Sequence, residues 1–354
     1  MNPSSPLILG LMSGTSLDGL DLALCSFIET DGQWQHTIHI AETYPYHSIW
    51  LSRLKSAASE DGEGLALLHA EYGQYLGQQS NHFLKKHKQK ADYISSHGHT
   101  VFHRPDLGLT LQIGSGAAIS GSTGIPVICD FRTQDVAMGG QGAPLVPIGD
   151  ELLFRAYDYC LNLGGFSNIS YHQAGKRLAF DIGPCNLVFN ALASRLDCDY
   201  DEGGKIAATG TLNEELLHRL DALAHYEKTG PKSLGREWVE TEIMPMLDDF
   251  SLPVPDLMRT LVEHVSSKIA EATAIIGNGK VLVTGGGARN TFLLERIRTK
   301  TTSQLIIPGD LTLDFKEALI FAFLGLLRVQ ERNNILSSVT GSSSDHCGGC
   351  LYLP

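Results

Sequence analysis

The sequence predicts an α/β protein of two domains. Its 354 residues correspond to two domains at roughly 150 residues each. Short apolar runs that end in glycine turns alternate with long amphipathic stretches, as in sheets that are covered by helices. The predicted domains are residues 1–125, with residues 331–354 packed back on them, and residues 126–330.

The first predicted element is a glycine hairpin near the start of the chain. The apolar runs Leu7–Met12 and Leu20–Phe27 flank the polar turn Ser13–Gly19. Both runs have the length of short strands, and the turn contains two glycines. Strand, turn and strand are therefore predicted.

Two further glycine turns follow apolar runs in the second half of the chain. One repeats the plan of the first hairpin, so that each half opens with a glycine hairpin. The other connects a strand to a helix. The segments are, in order, Tyr159–Leu163, Gly164–Gly165, Ile169–Tyr171, Lys280–Thr284, Gly285–Gly287 and Phe292–Ile297.

The remaining elements follow from hydrophobic periodicity. Apolar residues at helical spacing predict helices over Gly64–Lys86, Asp256–Ile276 and the buried segment Ala318–Leu327. Short apolar runs predict strands at Tyr93–Ser96, Thr110–Ile113, Pro126–Cys129 and Arg177–Phe180. The segment Ser337–Asp345 is rich in Ser and Gly and is predicted to be irregular.

Composition excludes several classes of function. The 27 Lys and Arg against 39 Asp and Glu give a net charge of −12, which repels nucleic acid. The longest apolar stretch is too short to span a bilayer, and the N-terminus lacks the basic start of a secretory signal. The seven cysteines are an odd, scattered set in a chain long enough to build its own cores, so no disulfide framework is needed. We expect a cytoplasmic protein without nucleic-acid or membrane partners.

The glycine turns suit phosphate, because several backbone N–H groups converge on an anion where no Cβ intervenes. Neither G-x-x-x-x-G-K-[ST] nor G-x-G-x-x-G follows a strand, which argues against Walker-type NTPases and Rossmann dehydrogenases. One such turn alone is more typical of a plain hairpin. Three in this order favour a nucleotide bound between two similar domains, with Ser13, Thr15 and Ser16 at the outer phosphates and Asp18 holding Mg²⁺.

Several polar residues are candidates for the reaction itself. Asp181, in an expected Gly-Pro turn after a strand, suits the general base of a sugar kinase. Arg132, between Asp130 and Asp135, suits a sugar carboxylate, or else forms a surface ion pair. Glu317 is either a helix-start charge or a substrate-side carboxylate.

Two clusters contain residue types that bind metals but lack the spacing of a metal site. His97, His99 and His103 alternate along one segment without a cysteine or carboxylate at matching spacing, which favours hydrogen bonding to substrate or protein over a metal site. The Cys347-Gly348-Gly349-Cys350 tail lacks a second ligand pair and is expected to hold free thiols.

Seven motifs in one order resemble a known family. They are Gly10–Asp21 (GLMSGTSLDGLD), His97–Thr100 (HGHT), Asp130–Arg132 (DFR) with Gly139–Pro147 (GGQGAPLVP), Phe180–Asn186 (FDIGPCN), Lys232–Glu237 (KSLGRE), Gly285–Asn290 (GGGARN) and Lys316–Ala318 (KEA). Together they run over nearly the whole chain and resemble the anhydro-N-acetylmuramic acid kinase family.

The resemblance implies a two-domain fold like that of actin, Hsp70 and sugar kinases, with a nucleotide cleft between the domains. It implies ATP with Mg²⁺ and a peptidoglycan-recycling reaction in a bacterial cytoplasm. In that reaction water opens the 1,6-anhydro ring while O6 receives the γ-phosphate, giving N-acetylmuramic acid 6-phosphate and ADP. It also suggests a homodimer.

Site roles carry over to the residues that match the motifs. Asp181 would be the catalytic base and Asp18 the metal-side residue. The sugar would meet His97, Arg132, Asp135 and Glu317. The ATP site would comprise Gly14, Thr15, Ser16, Leu17, Asp18, Gly19, Leu20, Asp21, Gly164, Gly165, Asn168, Gly285, Gly286, Gly287 and Asn290.

The chain departs from the usual family pattern at His99, Ser115–Gly116 and Cys185, which affects the expected sugar contacts but not the base. Two alternatives stay open at this point. One is a kinase of a free amino sugar with the same fold, and the other is an ATP-gated chaperone or scaffold.

Overall fold

The structure, a computed structural model, describes residues 5–14, 17–228 and 232–354. Thr15 and Ser16, two of the expected ATP-binding residues, lie outside the described residues. The chain divides into two compact units. Unit 1 comprises Met1–Leu153 and Phe315–Pro354, and unit 2 comprises Phe154–Asp314.

The elements alternate as the sequence predicts. The strands are β1 Ile8–Ser13, β2 Leu20–Thr30, β3 Gln33–Tyr44, β4 Tyr93–Ser96, β5 His99–Arg104, β6 Leu109–Ile113, β7 Val127–Cys129, β8 Tyr159–Leu163, β9 Phe166–Gln173, β10 Lys176–Pro184, β11 Lys280–Thr284, β12 Gln304–Ile306 and β13 Cys350–Tyr352. The helices are α1 Ser48–Ser56, α2 Gly62–His87, α3 Gly116–Thr123, α4 Thr133–Ala137, α5 Pro147–Leu153, α6 Asn186–Ala193, α7 Lys205–Thr209, α8 Glu214–Asp221, α9 Ala224–Glu227, α10 Arg236–Trp238, α11 Met244–Asp249, α12 Val254–Ala272, α13 Thr291–Arg298, α14 Asp310–Val329 and α15 Ser337–Thr340.

Unit 1 is built on a six-stranded sheet of order β13-β7-β4-β1-β2-β3. Strands β1, β2 and β3 form an antiparallel meander, whereas β4 and β7 run parallel to β1. The last strand, β13, closes the edge antiparallel to β7. Strands β5 and β6 form a separate two-stranded sheet, so the predicted strand Thr110–Ile113 exists but lies outside the main sheet.

Unit 2 is built on a five-stranded sheet of order β10-β9-β8-β11-β12. Again three antiparallel strands, β8 to β10, are followed by two that run parallel to the first. The topology matches that of β3-β2-β1-β4-β7 in unit 1. The predicted repetition of the hairpin plan is therefore confirmed as a repetition of a whole sheet.

Helix α14 is anchored in unit 1 by close contact with glycines. A Cβ at Gly10 of β1 would overlap the carbonyl oxygen of Ala318, and one at Gly325 would come within 2.6 Å of Ser95. The helix therefore approaches the sheet more closely than any larger residue allows. Residues 318–327 are all buried, as predicted.

The units end at other residues than the predicted domains. Residues 126–153 belong to unit 1 because β7 lies inside its sheet, and residues 315–330 belong there because α14 packs on it. Apolar periodicity predicts that a strand forms but not which sheet it joins. The tail contains the short helix α15, where the sequence predicts irregular chain.

None of the helices in the described ranges combines the length and the hydropathy that a bilayer crossing requires.

Candidate active site

The first glycine hairpin connects β1 to β2 as predicted. Leu17 adopts a left-handed conformation (φ 61°), and a Cβ at Gly19 would lie 2.7 Å from Thr43 and 2.9 Å from the carbonyl oxygen of Tyr44. Gly19 is therefore required because a larger residue would collide with β3. Asp18 is exposed at the tip, whereas Asp21 accepts a 2.5 Å hydrogen bond from Thr43 Oγ1 on β3.

His97 and Arg132 form one hydrogen-bonded pair in unit 1. His97 Nδ1 donates to the carbonyl oxygen of Gly98 at 2.8 Å, so its Nε2 is the acceptor for Arg132 Nε (3.1 Å) and Nη2 (2.9 Å). Arg132 Nη1 donates to the carbonyl oxygen of Gly142 at 2.6 Å. Burial and the guanidinium lower the pKa of His97 to about 3. The imidazole is therefore neutral and fixes the plane of the guanidinium.

This arrangement leaves Arg132 donors for a ligand. A guanidinium carries five N–H groups, and three serve His97 and Gly142. Burial lowers the pKa of Arg132 to about 10, partly offset by the Glu317 and Asp135 carboxylates, so the side chain stays charged at neutral pH. The alternative of a surface ion pair with Asp130 does not apply, since Asp130 accepts from Thr133 Oγ1 at 2.5 Å instead.

Asp135 is fully buried and holds the glycine-rich loop that follows it. One carboxylate oxygen accepts from Gly142 N at 2.6 Å, and the other accepts from Thr340 Oγ1 at 2.7 Å. A Cβ at Gly140 would overlap the same carboxylate. Asp135 thus supports the segment that Arg132 contacts, and its oxygens are engaged by protein donors rather than presented to a sugar.

We expect Asp135→Asn to lower stability by about 1–2 kcal/mol, because a charged acceptor of two buried hydrogen bonds becomes a neutral amide. The loss should come with weaker sugar binding, since the Gly142 carbonyl orients Arg132. Thermal unfolding and KM for the sugar measure both effects. Asp106→Asn, on an exposed carboxylate paired with Arg104, is the matched control. Equal behaviour of the two variants would contradict the assigned role.

Glu317 lies where α14 enters its buried stretch. The helix is irregular at Phe315 (φ −115°, ψ 15°), and Lys316 makes a buried 2.6 Å ion pair with Asp150 of α5. The Glu317 residue is exposed, yet desolvation at its carboxyl raises the pKa, with Asp18 adding to the rise and Lys316 and Arg132 opposing it. The charges of Asp18 and Arg132 therefore act on the Glu317 carboxyl in opposite directions.

One hydrogen-bonded group in unit 1 was missed by sequence reasoning. Tyr46 donates to Ser13 Oγ at 2.7 Å and lies 2.6 Å from the hydroxyl of Tyr72, while Ser13 Oγ lies 3.3 Å from His99 Nδ1. Burial lowers the pKa of His99 to about 4. The group fixes the end of β1 just before the hairpin. No spacing in the sequence connects Tyr46 or Tyr72 to Ser13.

The two glycine turns of unit 2 lie side by side. Asn186, the first residue of α6, donates from its amide to the carbonyl oxygen of Leu163 at 2.9 Å and from its backbone to Gly164 at 3.1 Å. Cβ atoms at Gly285 and Gly287 would come within 2.5 Å of Asn162 Oδ1 and 2.7 Å of Leu163. The sequence-predicted Gly164, Gly165 and Gly285–Gly287 are therefore brought together, with Gly165 exposed.

Asn290 has a structural task at this place. Its side-chain oxygen accepts from Leu293 N at 2.9 Å and caps the N-terminus of α13. The cap sets where the helix starts after the Gly285–Gly287 turn.

Asp181 lies inside β10 rather than in a turn after it. The expected Gly183-Pro184 turn is wrong, because both residues pair with β9. In register, Asp181 lies opposite Asn168, which lies opposite Asn162 of β8, so the three polar side chains share one face. All three are half-buried. Asn162 was not singled out by the sequence, since a lone Asn in a strand carries no distinct signal.

The segment that follows the undescribed residues 229–231 fixes the Asp181 carboxylate. Asp181 N donates to the carbonyl oxygen of Lys232 at 2.9 Å, and Leu234 N donates to Asp181 Oδ2 at 2.9 Å. Burial raises the pKa of the Asp181 carboxyl, and the Leu234 bond opposes part of that rise. A carboxylate with a raised pKa is a stronger base.

The described residues contain no cluster of side chains that could hold a metal ion. Within residues 5–14, 17–228 and 232–354, no three His, Cys, Asp or Glu side chains are grouped to hold an ion. His97 and His99 bond to protein groups instead, as the hydrogen-bonding alternative expects. Cys347 and Cys350 are free thiols, as the sequence predicts.

The same sheet topology occurs in both units, and each copy opens with a glycine hairpin. The half-buried carboxylate of Asp181 lies in the sheet of unit 2. These are features of an ATP-dependent sugar kinase. The chain belongs to the anhydro-N-acetylmuramic acid kinase family, whose model matches residues 6–354. A Shewanella sediminis protein named anhydro-N-acetylmuramic acid kinase is 35% identical over 370 residues, covering 97% of this chain and 98% of that protein. The family resemblance and the enzyme class are confirmed.

A second relative and a solved structure are also similar to this chain. A Shewanella frigidimarina protein of the same name is 36% identical over 364 residues, covering 95% of each chain. Among solved structures, a ROK family glucokinase from Streptomyces griseus in complex with glucose and AMPPNP has a TM-score of 0.37 at 12% identity, covering 89% of this chain and 97% of that one. A likeness at that TM-score adds nothing to the family assignment.

Proposed function

We propose that the protein opens 1,6-anhydro-N-acetylmuramic acid with water and phosphorylates its O6 from ATP. Family membership supports the reaction, and the Asp181 carboxylate supports the assignment of its base. That carboxylate is half-buried, held by a backbone N–H and raised in pKa.

The reaction balances with one carboxylate. Asp181 takes a proton from water as the water oxygen bonds to the anomeric carbon, and the bond from that carbon to O6 breaks. O6 then bonds to the γ-phosphorus as the bond to the β-phosphate oxygen breaks. The products are N-acetylmuramic acid 6-phosphate and ADP. The phosphoryl group replaces the proton that a glycosidase acid would supply.

The sugar's lactyl carboxylate is assigned to Arg132. Its guanidinium is oriented by neutral His97 and the Gly142 carbonyl, and two N–H groups remain beyond those bonds. His97 thus acts through Arg132, and Asp135 acts through the loop. Glu317, whose raised pKa reflects both desolvation and Asp18, is proposed to accept from a sugar hydroxyl.

ATP is assigned to the glycine turns and Mg²⁺ to Asp18. The fit to phosphate rests on Gly165, which is exposed and where an added Cβ meets nothing closer than 3.8 Å. The fit to Mg²⁺ rests on the exposed Asp18 carboxylate, because Mg²⁺ is bound through one or two carboxylates and keeps its waters. When bound, the ion neutralises charge on the transferring phosphoryl group.

We expect Asp18→Asn to lower kcat about 10-fold or more while Kd for ATP changes little, because the backbone N–H groups of the turns remain. Raising the magnesium concentration should restore part of the rate. Steady-state turnover over a magnesium titration and equilibrium nucleotide binding measure the two quantities. Asp31→Asn, in the β2–β3 turn, is the control. Normal turnover at ordinary magnesium would remove Asp18 from the metal side.

Product analysis tests the function as a whole. Purified protein is incubated with ATP and either the 1,6-anhydro sugar or the open amino sugar, and ADP and both sugar products are measured. Conversion of the anhydro sugar alone to the 6-phosphate supports the proposal. Exclusive use of the open sugar would support a free amino-sugar kinase, and sugar-independent ATP turnover would support a chaperone or scaffold.

A cytoplasmic location and a homodimer are also proposed, both from the family resemblance. Light scattering of the purified protein would give its mass in solution.

A further inference from the structure

We propose that His225 is a positioning residue for the Asp181 carboxylate, holding the strand distortion that sets its direction. The inference rests on the proposed role of Asp181 as base. His225 belongs to none of the motifs that carry the family resemblance, and the proposed reaction gives it no part.

Strand β10 carries a β-bulge at the base. The pairing register with β9 shifts between Asp181 and Gly183, so Ile182 has no partner of its own on β9. A bulge re-aims the neighbouring side chain, but it also disrupts the ladder that satisfies backbone groups. The direction of the Asp181 side chain therefore depends on what holds the distorted backbone.

His225 stabilises the distorted backbone through one N–H group that two carbonyl oxygens share. Its Nε2 lies 3.1 Å from the carbonyl oxygen of Asp181 and 3.2 Å from that of Ile182. Since both partners are acceptors, Nε2 carries the proton and donates to the two carbonyls on either side of the bulge. The geometry is a three-centre bond that only a donor at this place can make.

The imidazole is itself fixed. His225 is 3% exposed on the short helix α9, and its ring meets those of Tyr226 and Trp238 edge-on or tilted, at centroid distances of 5.4 and 5.6 Å. Its carbonyl oxygen accepts from Lys232 Nζ at 3.0 Å. Lys232 in turn accepts from Asp181 N through its own carbonyl. The Asp181 backbone therefore bonds to His225 and Lys232, and its carboxylate bonds to Leu234.

These contacts define a role in orientation and not in proton transfer. The Nε2 proton is directed to main-chain oxygens, so His225 reaches the carboxylate only through the backbone. A shift of about 1 Å in a reacting group costs on the order of 10²-fold in rate. Loss of the donor should therefore appear in kcat, while KM for ATP stays near that of the wild type.

The test compares donors at one position in the full-length enzyme. His225→Gln keeps an N–H at similar reach, whereas His225→Met and His225→Leu fill the space without a donor. We expect kcat to fall on the order of 10²-fold in the Met and Leu variants and to recover most of that loss in the Gln variant. His218→Leu, on the exposed side of α8, is the control and should keep the wild-type kcat.

Rates are expressed per folded molecule, with the folded fraction taken from thermal unfolding. Two variants without a donor, His225→Met and His225→Leu, are used in case one of them packs poorly. His225→Met is also combined with Asp181→Asn, where its effect should be largely absent because both act through one group. Wild-type kcat in the Met and Leu variants, no recovery with Gln, or an undiminished effect in the Asp181→Asn background would each overturn the inference. Full activity of Asp181→Asn itself would overturn the proposed base, and the inference with it.

Discussion

Asp181→Asn is expected to lower formation of both ADP and phosphorylated sugar by about 10²–10⁴-fold, the range for loss of a general base. The amide has the shape of the carboxylate and still offers Leu234 N an oxygen acceptor, so the local fold should persist. What is lost is the ability to take a proton from water. Because the ring opening creates the O6 nucleophile, both products should fall together.

Asp201→Asn is the matched control for this change. Asp201 is also a shielded carboxylate of unit 2, but its oxygens accept from Ile206 N (2.8 Å) and Ala207 N (3.0 Å) at the start of α7. Its replacement should lower the unfolding temperature and leave kcat near the wild-type value.

Separate measurement of ADP and both sugar species decides the case. Phosphorylated product at the wild-type rate would remove Asp181 from the mechanism. Ring-opened sugar without phosphate would show that hydrolysis and phosphoryl transfer use different bases.

Glu263→Gln is expected to destabilise the protein by about 3 kcal/mol, since it leaves three cations around a buried neutral group. Glu263 of α12 is 4% exposed. It lies 2.7 Å from Arg296, 2.8 Å from Lys300 and 3.1 Å from Arg259. Arg296 connects Glu263 to α13, and Lys300 connects it to the turn after α13.

The effect should depend on pH in a defined direction. Burial alone would raise the pKa of the Glu263 carboxyl, but the bonds from Lys300 and Arg296 outweigh it and the pKa is lowered. A lowered pKa in the folded state means that the stabilisation is complete above the unfolded value and is lost as pH falls through the folded value. The gap between wild type and variant should thus be full at pH 7 and shrink in acid.

Urea denaturation at a series of pH values measures that gap. Glu295→Gln, exposed on α13, is the control and should stay within about 0.5 kcal/mol of the wild type. A gap that does not change with pH would contradict an ionic origin of the stabilisation.

The sequence predicts elements well where local chemistry decides them. Apolar runs and glycine turns locate β8 and β11 to the residue and β1 to within one residue, because strand length and turn chemistry are local properties. They also locate β2 and β9, with ends up to three residues away from those observed. The buried helix over residues 318–327 follows in the same way from an uninterrupted apolar run.

Local sequence patterns do not predict hydrogen bonds between residues that are far apart in the sequence. Thr340 meets Asp135 and His225 meets Asp181 across long stretches of chain, and no periodicity encodes either pairing. The prediction that Asp181 precedes a Gly-Pro turn was wrong for a related reason. A Gly-Pro pair is typical of a turn, but the tertiary contacts of β9 hold it in the sheet.

The two units differ in how the chain reaches them, and this bears on synthesis. Unit 2 is one continuous stretch, Phe154–Asp314, whereas unit 1 needs Phe315–Pro354 to complete what Met1–Leu153 begins. Until α14 emerges from the ribosome, the face of β1 at Gly10 has no cover, and β7 lacks its partner β13. Because domains fold as units while the chain lengthens from its N-terminus, the half that is translated first is the half that matures last. A nascent chain that has not yet reached Phe315 therefore leaves this face of the N-terminal sheet uncovered.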